Sequence, residues 1–237
     1  MLYRLDRKVP EFLALEELMG LVSACRFLTS LAVGPRVLCT YNGTSPRSES
    51  FVSEIIPAFH SILNPNLLGI SVPLRLLESD TNIPNFSKPL YQSLTYLELQ
   101  HAYGLGSWHV LRALVKLKFL VIHRPAILDN HICSFLSLEI AANLSESIQI
   151  AIVFCDLVLD NAAIDADWII RQCDPRIVIA TWNDALLARD GGLVKDYIVC
   201  ISNTWKGIEF CDPESSLWSQ ARHFQERRAQ IRRSNIV

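Results

Sequence analysis

Two segments, Leu94-Thr95-Tyr96-Leu97-Glu98-Leu99 and Leu117-Lys118-Phe119-Leu120-Val121-Ile122, share the pattern L-x-x-L-x-L/I and begin 23 residues apart. A spaced-leucine strand returning after about 20–29 residues is the signature of a leucine-rich repeat. It is a strong constraint, because one such unit cannot bury its apolar side alone. Neighbouring units must stack into a common core. Looser copies stand at Leu28-Thr29-Ser30-Leu31-Ala32-Val33 and Leu67-Leu68-Gly69-Ile70-Ser71-Val72.

Further strands are expected at 148–154, 177–181 and 197–201. Helical spacing of apolar residues predicts helices over 11–27, 51–63, 108–115, 130–142, 165–173 and 217–231. Residues 78–90, with Asp80, Asn82, Pro84, Asn85, Ser87 and Pro89, read as a loop, and Pro125 is expected to stop the strand that begins at Leu117. With strand starts at 28, 67, 94, 117, about 148 and about 175, the intervals are 39, 27, 23, 31 and 27 residues, so two of them hold insertions. Helix–strand alternation of this kind makes either a curved solenoid or an open α/β sheet. The shared strand motif favours the solenoid. The expectation is an α/β fold of irregular leucine-rich-repeat-like helix–strand units with a mostly parallel sheet. It forms one domain over 1–237, with 1–27 as an N-terminal capping helix and 215–237 as a C-terminal basic helix and tail.

Composition narrows the function classes. Half of the 237 residues are hydrophobic and 19% are charged, enough apolar side chain for a sizeable core without staples. No charge-free apolar run approaches the roughly 20 residues of a membrane helix. A net charge of −2 gives no global field to recruit nucleic acid or an acidic membrane. The seven cysteines are odd in number, form no C-x-x-C pair and sit mostly in apolar runs such as Ile152-Val153-Phe154-Cys155. They read as reduced, buried thiols, which suits the cytoplasm or nucleus. The first eight residues do not resemble a signal peptide. The sequons at Asn42, Asn85 and Asn143 are therefore read as chance matches.

Two blocks carry a resemblance. One runs from the Leu94 strand through Gly104, Gly106, Ser107-Trp108 and Leu111-x-x-Leu114 to the Leu117 strand. The other joins Asp174-Pro175-Arg176-Ile177-Val178-Ile179 to Leu217-Trp218-x-x-Ala221-x-x-Phe224-x-x-x-Arg228. Together, over about 94–124 and 174–232, they resemble the C-terminal region of mushroom-type fungal proteins that carry an F-box followed by irregular leucine-rich repeats. The resemblance implies a substrate-receptor role beside a ubiquitin-ligase adaptor. Val9-Pro10-Glu11-Phe12-Leu13 only faintly echoes the opening of an F-box, and repeat-like strands begin at Leu28. The expectation is a target-facing half without its ligase-facing half.

Motifs that carry chemistry are weak. Gly104-Leu105-Gly106 has the outline of a dinucleotide loop, but His109 stands where the third glycine belongs, so a tight turn into a helix is the simpler reading. His131 and Cys133 would point to different faces of the expected helix and lack the further ligands zinc requires. Asp156 with Asp160, or Asp165 with Asp167, would act as paired carboxylates only if they converged in a cleft. Arg222, Arg227, Arg228, Arg232 and Arg233, with His223, form either a nucleic-acid or phosphoinositide patch or a solvated helix face. No aromatic interleaving supports the patch. Trp218 is expected to anchor this helix on the body.

Strand parity makes one positive prediction. With the leucines turned inward, Tyr96, Glu98 and Gln100 line the opposite face beside Phe119, Val121 and His123. These six are the expected partner-binding residues, unless a helix or insertion covers them. The functional expectation is non-catalytic recognition of an unknown protein partner, without cofactor, metal, nucleic acid or membrane. The alternatives are an α/β enzyme, favoured if histidines converge with Asp156, Asp165 or Asp184 in a pocket, or a fragment without independent function.

Overall fold

The computed structural model describes Gly20, Ala24 and residues 28–32, 67–74, 77, 84–100, 108–127, 138–157, 173–181, 198–200 and 214–234; at 73, 124–127, 155–157, 181 and 198–200 it describes the backbone. Seven strands form one sheet: β1 (Ser30–Ala32), β2 (Gly69–Pro73), β3 (Tyr96–Gln100), β4 (Phe119–Ile127), β5 (Ile150–Leu157), β6 (Ile177–Thr181) and β7 (Ile198–Cys200). Every neighbouring pair is parallel, and the strand order is the chain order. A doubly wound sheet instead reverses its order at a switch point, where its ligand crevice lies. Among the described strands there is no reversal.

The spaced leucines explain why the strands stack in file. The fourth position of the motif forms one lateral column, Leu31, Ile70, Leu97, Leu120, Ala151 and Ile177, each paired with the next. The sixth position forms a second, Val72, Leu99, Ile122, Val153 and Ile179. Both columns are buried in a single core with the leading residues Leu28, Leu67, Leu94, Leu117 and Ile148. Buried residues from the connections, among them Phe86, Tyr91, Trp108, Leu111, Leu114 and Ile140, join this same core. Each described connection therefore covers the leucine side, as repeated crossovers of one hand require. Burying each such side chain contributes about 1.5–3 kcal/mol before entropy is charged.

The junctions repeat as well. Thr29 O accepts from Leu68 N and Gly69 N, Leu68 O from Thr95 N and Tyr96 N, Thr95 O from Lys118 N and Phe119 N, and Lys118 O from Gln149 N and Ile150 N. Four successive strands thus start on the same two-donor arrangement, although the intervals between them are unequal. Side chains bracket neighbouring units on the connection side. Gln92 Nε2 donates to Phe86 O and Ala113 O at 2.7 and 3.1 Å, and Arg112 Nη2 to Ala142 O at 2.8 Å. Ser145 Oγ donates to Leu114 O at 3.3 Å, and Arg176 Nη1 to Ser145 O at 3.1 Å.

Some expected boundaries shift. β4 runs through Pro125 to Ile127, because the register with β5 slips between Arg124 and Ile127. Proline is tolerated at such an irregularity, where its missing N–H breaks no ladder bond. The helix expected over 108–115 is a 3₁₀ segment, Trp108–Ala113. The loop over 78–90 leads into a 3₁₀ turn, Pro89–Tyr91, where Phe86 and Tyr91 meet edge to face with centroids 5.3 Å apart. The C-terminal helix spans Ser216–Ser234. Most of the helices expected over 11–27, 51–63, 130–142 and 165–173 lies outside the described residues.

Candidate binding face

The opposite, outer face of the sheet carries the alternate residues, and its two ends differ. Over β4–β6 it is apolar: Phe119, Val121, Ile150, Ile152, Phe154, Val178 and Ala180 form a second buried cluster with Leu217, Trp218 and Ala221 of the C-terminal helix. Trp218 lies against Phe119 with ring centroids 4.8 Å apart, so it anchors the helix on the sheet. This corrects the expectation of exposure at Phe119 and Val121. Both residues sit on the predicted face, but a helix distant in sequence covers them.

Polar side chains hold the same helix. β7 begins opposite Ile179, so the start of β6 has a described strand only on its β5 side. Arg228 Nη2 donates to Pro175 O and Ile177 O at 3.0 and 2.5 Å, and Gln225 Nε2 to Gln149 O, Pro175 O and Arg176 O at 3.1–3.3 Å. Arg232 Nη2 donates to Cys173 O at 2.6 Å. Arg228 is only 3% exposed. Burial lowers its pKa, against the opposing pull of the neighbouring Cys173 and Asp174. Burial likewise pushes the Cys173 thiol up, with Arg228 working the other way. Neither the nucleic-acid patch nor the solvated face describes Arg228. It donates to the carbonyl of Ile177 and shares that of Pro175 with Gln225.

The sequence Asp174-Pro175-Arg176 builds the carbonyl row that the helix reads. Asp174 Oδ1 accepts from the Arg176 backbone N–H at 2.8 Å, and the carboxylate takes the Arg176 guanidinium two-pronged at 3.1 and 2.9 Å. Burial favours the neutral acid, but these hydrogen bonds and the charges of Arg176 and Arg228 outweigh it and hold Asp174 below the usual carboxylate range.

Over β2–β4 the outer face is polar. Glu98, 2% exposed, accepts a short hydrogen bond from Ser71 Oγ, and its other oxygen lies 2.6 Å from His123 Nε2. That second contact is an ion-pair distance and not a well-aligned hydrogen bond. Gln100 Nε2 donates to Ser71 Oγ at 3.1 Å. His123 is 17% exposed and stacks on Phe154, with centroids 4.6 Å apart and rings 3° from parallel. Tyr96 stacks on Phe119 at 4.9 Å and 6°, at the border of the helix-covered zone. Tyr96, Gln100 and His123 are partly exposed, whereas Glu98 is buried beneath them.

The structure thus brings Glu98, Gln100 and His123 together and places Tyr96 beside Phe119. Ser71 belongs to the cluster and was not predicted. It occupies the register position of Glu98 and Val121, so aligning the strand copies would have found it. The wiring is not that of a Ser–His–acid triad. There the imidazole lies between hydroxyl and carboxylate and takes the hydroxyl proton, whereas here the carboxylate lies between serine and histidine. What the arrangement offers is hydrogen-bond acceptors and a flat ring. Gln100 Oε1 is a further buried acceptor, without a hydrogen-bond partner.

His109 is exposed on the 3₁₀ segment. Gly104, Gly106, His131, Cys133, Asp160, Asp165, Asp167 and Asp184, and the Asp156 side chain, lie outside the described residues. Among the described residues no group of three or more His, Cys, Asp or Glu could hold a metal, and no helix is long and apolar enough to cross a membrane. Comparison with protein-family models, curated proteins and solved structures finds no match.

Proposed function

We propose that the chain is a protein-recognition module of leucine-rich-repeat-like build, acting inside the cell in the cytoplasm or nucleus. The observation that carries this reading is the division of the outer face. A helix covers its apolar end, while the polar end presents Tyr96, Gln100 and His123 around a buried carboxylate. Aromatic and histidine side chains held rigidly on strands give contact area at little entropic cost. Within this reading, the narrower role of substrate receptor beside a ubiquitin-ligase adaptor rests on the resemblance of the 94–124 and 174–232 blocks.

The test is affinity capture from a lysate of the source organism with wild type, Tyr96→Ala and Gln100→Ala, each first shown to be folded by circular dichroism. A partner bound by wild type and lost in both variants is the expected result. A partner retained by both variants moves recognition off this face. Phe119→Ala is unsuitable, because it removes the seat of Trp218.

A further inference from the structure

We draw no further inference here: the strongest candidate, the polar cluster of Ser71, Glu98, Gln100 and His123 on the outer face of the sheet, carries nothing because its acceptors are buried and nothing among the described residues shows what covers them.

Discussion

The two ends of the outer face solve one problem differently. Over β4–β6 the alternate residues are large and apolar, and the chain's own C-terminal helix covers them. Over β2–β3 the same register positions hold Ser71, Glu98, Tyr96 and Gln100, which satisfy one another in part. At a single register position the residue changes from Ser71 to Glu98 to Val121 to Ile152 to Val178 across the sheet. The comparison teaches that strand parity assigns a face, but the lateral run of residues decides whether that face is core or surface. The helix-covered end is built for stability, and the polar end leaves a buried acceptor unmatched.

Removing the anchor should break this contrast most severely. Trp218→Ala is expected to cost about 3–5 kcal/mol, the range for emptying a buried aromatic site, read as a fall in the urea midpoint. An unchanged midpoint would mean that the helix is not part of the cooperative unit. Arg228→Met removes the donor from Ile177 O and leaves Gln225 as the donor to Pro175 O. Leaving a buried carbonyl unsatisfied should cost about 1–3 kcal/mol, and a gain in stability would show that desolvating the cation outweighs its hydrogen bonds.

Acid sharpens the contrast on the covered end. The folded carboxyl of Asp174 is held below its unfolded value. Its contribution is therefore fully present above the unfolded value and is lost as pH falls through the folded one. Asp174→Asn should lower stability at neutral pH and flatten its decline in acid, as measured by urea midpoints across that range. The smallest effect is expected at the polar end. Glu98→Gln keeps the shape of the cluster and removes a buried charge, so the stability change should stay under about 1 kcal/mol. A loss as large as that of Trp218→Ala would make Glu98 a structural residue and undercut its role in recognition.

How much of this was legible in the sequence follows from the distance over which each feature is determined. The leucine columns are local: two residues per strand, alternating with period two, suffice to place Leu97, Leu99, Leu120 and Ile122 on one side. The same parity placed Tyr96, Glu98, Gln100, Phe119, Val121 and His123 on the other. It could not show that Phe119 and Val121 are covered, because the contact between Phe119 and Trp218 joins segments far apart in the chain. Pro125 misled because a proline ends a regular strand but not one that slips register beside it. The arginines of the C-terminal helix looked like solvated charge, since nothing in their spacing reveals that the carbonyls of Cys173, Pro175 and Ile177 await Arg228 and Arg232. Ser71 was hidden by its small size.

The apolar strip on β4–β6 also has a history within each molecule. During synthesis Phe119, Ile152 and Val178 emerge well before Trp218, and no earlier described helix joins their cluster. The strands can pair as they appear, each with its predecessor, at low cost in chain closure. Until residues 216–234 arrive, the nascent sheet shows water a surface meant for a helix. That interval is when the chain is most open to aggregation and to chaperone capture.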